Sequence, residues 1–274
     1  MTEAFLWFAS FFLVLAAMLG AAMMAAWWIA LKSGQSGWID AVWSLAVGIA
    51  GVGAALAGQA ISLRSGLVAV LVAVWSIRLA THIARRSWKG GDDPRYAFLR
   101  ESWGSRYRQR LFGFLQIQAG AGFLLAISVW AAAHNPLPSL RFQDWLGVVL
   151  LVVSIAGEAL ADAQLARFRG LAANKGRICD VGLWGLSRHP NYFFEWLVWL
   201  AYVAIGIDLD GSYPIGWLTL VGPVLMYWLL VHASGVPPLE AHMLRSRGEA
   251  FRDYTKRVNA FWPGLPKSPM ARRA

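Results

Sequence analysis

Between Gly182 and Trp199 the sequence GLWGLSRHPNYFFEWLVW sets Ser187, Arg188, His189, Asn191 and Tyr192 against an apolar run that still carries a carboxylate, Glu195. These side chains suit a polar, anionic ligand. Arginine can grip a phosphate with two parallel hydrogen bonds, and asparagine offers both a donor and an acceptor, as an amide or a ribose requires. Pro190 fits the first position of a helix, with His189 or Ser187 near its cap. A helix start presents free backbone N–H groups and the positive end of the dipole. Asn191 and Glu195 are four apart and share a face just inside that start. Upstream, Glu158 and Asp162 are also four apart, and Arg169 lies seven beyond Asp162 on the same face. Lys175 and Arg177 flank Gly176 in the connector between these elements.

Two more ionisable residues, Asp40 and Arg78, interrupt apolar runs. A charge in a bilayer costs roughly 2.5 kcal/mol or more and usually faces a polar cavity or a partner. One arrangement is a structural ion pair between Arg78 and Asp40. The other is a cavity open to the cytosol, shared with Glu158, Asp162 and Glu195. No metal is expected: the single Cys179 excludes an internal disulfide and a cysteine-built zinc site, and the five histidines lack ligand spacing. There is no Walker loop, and the glycine pairs Gly51/Gly53 and Gly120/Gly122 lack the third glycine of a dinucleotide fingerprint.

The elements that must position these residues are membrane helices. Hydrophobic residues make up 58% of 274, charged residues 15%, and mean hydropathy is +0.48, whereas soluble domains carry about 25% charged residues. The pattern predicts an all-α integral membrane protein, a seven-transmembrane-helix bundle with cytosolic amphipathic helices. Residues 1–274 form a single membrane domain, with helices at about 5–31, 38–58, 64–84, 112–133, 144–166, 191–208 and 213–233 and a cytosolic tail over 234–274. The first run is too long, and its start too acidic, for a cleaved signal peptide. Of the 25 Lys and Arg, 22 fall in alternate loops and the tail, while Arg64 and Arg141 occupy the opposite loops. The positive-inside rule places the N-terminus outside and the C-terminus in the cytosol. The net charge of +10 then faces anionic headgroups or an anionic ligand, and no basic, aromatic-interleaved soluble domain is present for nucleic acid. Past a turn at Gly90-Gly91-Asp92-Asp93-Pro94, Tyr96, Leu99, Trp103 and Tyr107 recur at helical spacing among arginines, which describes a helix in the headgroup region. The tail repeats the pattern with Leu239, Met243, Phe251 and Tyr254.

The hinge Ser187-Arg188-His189-Pro190-Asn191-Tyr192-x-x-Glu195 resembles the C-terminal half of the steroid 5α-reductase superfamily, particularly its bacterial branch. It is also similar to the hinge of isoprenylcysteine carboxyl methyltransferases. WIDAVWSL (Trp38–Leu45), WSIRLATHIARR (Trp75–Arg86), DDPRYAFLR (Asp92–Arg100), NKGRICDVGLWGLSRHPNYFFE (Asn174–Glu195) and the GVPPLE…FRDYTKRVNAFWP tail resemble bacterial-branch blocks in order. The resemblance implies a seven-helix bundle in a bacterial inner membrane, with NADPH in a polar cavity on the cytosolic side. It implies cofactor contacts from Asp162, Arg169, Arg177 and Asn191, with Glu195 behind them, and Lys175, Arg188, His189 and Tyr192 complete the expected cofactor-binding set. Glu240, His242 and Tyr254 occupy a stretch where the tail departs from the family pattern. Where the steroid enzymes carry a Gln-Glu pair and a Tyr against the 3-oxo group, this chain offers Asp40 with Trp43, and Trp75 with Arg78.

The expected function is reduction of an activated C=C bond in a membrane-dissolved lipid, a 3-oxo-Δ4-steroid being the named candidate. Asp40 and Arg78 are the expected catalytic residues, donating a hydrogen bond or supplying charge to the developing enolate, with Trp43 and Trp75 against the substrate. The alternative is methyl transfer from S-adenosylmethionine onto a lipid or prenyl thiol. Arg169, Lys175, Arg177 and Arg188 suit the three phosphate groups of NADPH better than a sulfonium. A non-catalytic lipid-binding or assembly protein is a third class, under which the ionisable residues inside the spans have no purpose.

Overall fold

The computed structural model describes residues 2–58, 60–88 and 93–267. The expected turn at Gly90-Gly91-Asp92 and the last seven residues of the tail lie outside the described residues. The described residues form no strand. Ten α-helices follow one another: α1 (Thr2–Ser33), α2 (Trp38–Leu56), α3 (Leu63–Trp88), α4 (Pro94–Trp103), α5 (Tyr107–Ala133), α6 (Phe142–Gly170), α7 (Pro190–Gly206), α8 (Val221–Trp228), α9 (Val236–Arg247) and α10 (Glu249–Arg257). Among the described residues, six helical segments are long and apolar enough to cross a bilayer: Leu6–Ser33, Trp38–Leu56, Leu63–Trp88, Pro94–Ala133, Phe142–Gly170 and Pro214–Arg247. Large apolar side chains such as Leu13, Val70, Ile117 and Val224 stand more than half exposed on them, the outward face that a multi-pass membrane protein turns to lipid.

Six segments, rather than the expected seven, meet that standard. The run expected at 191–208 is α7, whose 17 residues span about 25 Å against roughly 30 Å of hydrocarbon. The run expected at 213–233 is not one α-helix. A 3₁₀ segment, Pro214–Leu220, leads into α8, and a π-turn, Leu229–Ala233, follows it. Pro214 and Pro223 each lack the N–H that a regular helix would use there. The expected headgroup helix from Tyr96 to Tyr107 also differs. α4 stops at Trp103, where Gly104 takes φ +50°, and Tyr96 is buried.

The helices group into two compact units. The first comprises Met1–Val148 and Tyr202–Leu225, the second Val149–Ala201 and Met226–Ala274. In the first, α2 packs on α1, α3 and α5. Small residues let α2 and α3 approach: a Cβ on Gly48 would lie 1.9 Å from Ser76 Oγ, and that hydroxyl donates to the Ser44 carbonyl at 2.9 Å. Small residues at a helix–helix contact are the usual solution where lipid supplies no hydrophobic drive to associate. One end of this unit is clasped by Arg64, whose Nε and Nη2 bind Asp144 at 2.8 and 3.0 Å while Nη1 donates to the Asn135 carbonyl at 3.0 Å. Arg141 pairs with Asp208 beside it. The two arginines of the sparsely charged loops are therefore neutralised within the fold.

In the second unit α6 and α7 interlock where a Cβ on Gly157 would strike the Phe194 ring. α9 packs on α10 and on the π-turn. Phe251, Tyr254 and Val258 form a small core with Ile178 and Met243, so the tail helices bury their apolar stripe against the connector.

Candidate functional site

The hinge of the second unit is built by the chain returning on itself. The connector after α6 holds a turn at Gly182, where φ is +60° and an added Cβ would lie 2.6 Å from Gln164 Oε1. That oxygen accepts from Leu183 N at 2.9 Å, and the Trp184 indole N–H donates to the Ala161 carbonyl at 2.9 Å. The connector is thereby fixed to the end of α6. Ser187 then pairs with Asn259 in an isolated parallel bridge, Arg188 N donates to the Asn259 carbonyl at 2.8 Å, and Ser187 Oγ donates to the Phe261 carbonyl at 2.9 Å. The same Oγ accepts from His189 N at 3.1 Å, just ahead of Pro190 at the start of α7.

Arg188 and His189, expected to contact a cofactor, turn inward instead. Arg188 binds Glu240 through Nε at 2.8 Å and Nη2 at 3.0 Å, and its Nη1 donates to the Val258 and Thr255 carbonyls. His189 Nε2 lies 2.9 Å from the same carboxylate and its ring stacks on Tyr192. Burial holds the His189 imidazole below its ordinary range although Glu240 pulls the other way, so at pH 7 it is the neutral ring donating from Nε2. This guanidinium ties the hinge to the tail. The reason is tertiary: Glu240 and the 255–258 carbonyls reach the hinge only because the tail folds back. Tyr254, likewise, donates its hydroxyl to the Trp184 carbonyl.

Other expected site residues lie on α6, the connector and the start of α7. Asn191 Nδ2 faces Asp162 Oδ1 at 3.5 Å and its Oδ1 accepts from Tyr192 N at 3.1 Å. This joins the polar stripe of α6 to the start of α7. Glu158 and Glu195 are buried on these two helices. Lys175, Arg177 and Arg169 are exposed around the connector, and the Lys175 and Arg177 side chains take no carboxylate among the described residues. Cys179, buried between them and the tail core, is a thiol that desolvation pushes up. The second unit thus holds an amide–carboxylate pair and, on the same unit, three exposed cations.

In the first unit Asp40 lies in the first turn of α2, and its partner is Arg95 rather than the expected Arg78. Arg95 forms an ion pair with Asp40, and Tyr96 donates its hydroxyl to Asp40 Oδ1 at 2.9 Å. Arg95 also binds Asp93 through Nε and Nη2, both at 3.0 Å, and Arg86 reaches Asp93 at 2.9 Å. Burial alone would raise the Asp93 carboxyl, but Arg95 and then Arg86 outweigh it and hold it at about 2. Both Asp40 oxygens accept, one from Arg95 and one from Tyr96, so the carboxylate anchors α4. Arg78 is half-buried on α3, one turn beyond the fully buried Trp75. The Trp43 indole N–H donates to the Gln118 carbonyl of α5 at 2.9 Å. Arg95, Tyr96 and Glu240 were not legible as partners in the sequence. The nearest signal was Asp93-Pro94, a helix cap and first-turn proline, which locates α4 without saying what it docks on. Among the described residues no cluster of three or more His, Cys, Asp or Glu could hold a metal ion.

Comparison with known proteins places residues 26–258 in a family described as "Protein of unknown function (DUF1295)". The chain is similar to the uncharacterized protein C594.04c of Schizosaccharomyces pombe, 27% identical over an alignment of 236 residues that covers 76% of this chain and 65% of the yeast protein. The chain thus matches just under two thirds of that relative's length. No solved structure matches.

Proposed function

This chain belongs to the DUF1295 family, and we propose that it is a membrane-embedded, NADPH-dependent reductase of an activated C=C bond in a bilayer-dissolved lipid. A 3-oxo-Δ4-steroid is the first substrate to test. The observation that carries the proposal is the division of labour at the hinge. Arg188 and His189 are held by Glu240, while Asp162 and Asn191 face each other and Arg169, Lys175 and Arg177 are exposed on the same unit. Phosphates fit the cations, and a ribose or nicotinamide amide fits the carboxylate–amide pair. The resemblance of the hinge to the steroid 5α-reductases supports the same cofactor, and the basic ends of the helices favour the cytosolic side for that site.

Bound NADPH supplies the hydride for the β-carbon. The chain's own residues bind and orient. Arg169, Lys175 and Arg177 would hold the phosphates, Asn191 and Tyr192 would bind the polar body of the cofactor, and Glu195 would fix the start of α7. Arg78 remains the proposed source of charge for the substrate's carbonyl oxygen, and the α-carbon would take its proton from water or another donor. Trp43 and Trp75 supply apolar wall.

Calorimetric titration of the purified protein with NADPH, NADH and S-adenosylmethionine at two salt concentrations tests the proposal. Arg177→Ala and Lys175→Ala weaken NADPH more than NADH, most strongly at low salt, and Asn191→Ala weakens both alike. Equal losses for the two cofactors remove the phosphate assignment. Binding of S-adenosylmethionine with no binding of either nicotinamide cofactor turns the hinge over to methyl transfer.

A further inference from the structure

On the far side of α6 from the Asp162 stripe lies a second feature. A groove of about 260 Å³ runs between the last turns of α6 and the connector, lined by Gln164, Arg167, Phe168, Leu171, Asn174 and Val181. Residues 164, 167, 168 and 171 follow i, i+3, i+4, i+7 spacing. At about 100° per residue their stripe points roughly opposite to Asp162 and Arg169. The groove is smaller than the roughly 300–1,000 Å³ that encloses a whole small-molecule ligand, so it suits a segment of chain rather than a dinucleotide.

Its walls are apolar in effect. Gln164 accepts from Leu183 N and Asn174 donates to the Phe168 carbonyl at 3.0 Å, so both amides have partners within the protein. Phe168, Leu171 and Val181 supply the remaining surface, and Leu171 and Val181 stand 57% and 50% exposed. The one charge on the groove is Arg167, exposed and with no acceptor among the described residues. α6 is one of the six helices fit to cross a bilayer and ends at Gly170. Arg167 therefore stands in its last turn, at the depth where hydrocarbon gives way to headgroups.

We propose that this groove seats an anionic phospholipid, with an acyl chain along Phe168, Leu171 and Val181 and its phosphate against Arg167. An apolar trough closed at its polar end by one uncommitted cation matches a molecule with a chain and an anionic head. A zwitterionic lipid offers the same chain with its phosphate charge offset. The proposal depends on α6 crossing the membrane and is independent of the cofactor assigned to the hinge.

The full-length protein in mild detergent, supplied with phosphatidylglycerol or phosphatidylcholine of matched chains, tests this by native mass spectrometry. The wild type retains phosphatidylglycerol in preference. Arg167→Gln lowers that preference about fivefold, the factor equivalent to about 1 kcal/mol for one cation at an anionic surface. Arg106→Gln, which removes an exposed charge from another segment, leaves the preference nearly unchanged. Leu171→Asn weakens both lipids without altering their ratio. Equal retention of the two lipids by the wild type, an equal effect of Arg106→Gln, or displacement of the lipid by water-soluble glycerol phosphate would each overturn the assignment.

Discussion

Replacing Arg188 by Ala removes the residue on which the hinge and the tail converge. Arg188 and Glu240 side chains are 10% and 21% exposed, and two of the guanidinium's bonds to the carboxylate measure 2.8 and 3.0 Å. Breaking one side of a buried ion pair costs about 3–5 kcal/mol because the other charge is left without its partner. Glu240 retains His189 and some access to water, so the expected loss is about 2–4 kcal/mol. At roughly 2–4 °C per kcal/mol for a chain of this size, melting in detergent, followed by tryptophan fluorescence, falls by about 4–16 °C. Glu240→Ala falls comparably, and the double variant falls by less than the sum, with a coupling of about 1–3 kcal/mol. NADPH affinity, extrapolated to the folded fraction, changes less in Arg188→Ala than in Arg177→Ala. Additive melting losses, or an unchanged melting temperature together with a salt-dependent loss of NADPH, would show that Arg188 serves a phosphate and that the clamp is misread.

The remaining predictions concern the first unit. Asp93 is 8% exposed and its carboxyl is held at about 2 against the usual 3.8. A lowered carboxylate stabilises the fold above its unfolded value and loses that contribution as pH falls from 3.8 through 2, so Asp93→Asn costs about 2 kcal/mol near neutrality and progressively less in acid. The melting difference between wild type and variant, measured at pH 6 and pH 3, checks it; a difference independent of pH contradicts the ion-pair origin. Gly48→Ala sets a methyl 1.9 Å from Ser76 Oγ and forces α2 and α3 apart at a cost of about 1–3 kcal/mol. Adding Ser76→Gly restores most of the melting temperature, and failure of that rescue would place the strain elsewhere.

How much of this protein its sequence determines follows from the range of each interaction. Hydropathy and charge asymmetry are local sums, so the apolar helices, the membrane setting and the start of α7 at Pro190 were all legible. The Glu158–Asp162–Arg169 stripe was legible as a face, because helical spacing fixes which residues point together, whereas the meeting of Asp162 with Asn191 was not. Helix type was less so: Pro214 and Pro223 in an apolar run allow a kinked span or a 3₁₀ start, and the close approach of Gly216 to the Gly206 carbonyl belongs to packing. Partner choice was beyond the sequence altogether. Asp40 and Arg78 were the obvious buried pair by depth, yet Asp40 takes Arg95, 55 residues away, because α4 docks its first turn there. Arg188 matched a ligand-binding motif, yet it faces Glu240, 52 residues on, because the tail returns along Ser187–Asn259. A charge inside a fold is satisfied by whichever opposite charge the backbone brings within about 4 Å, and only the tertiary path of the chain decides which one that is.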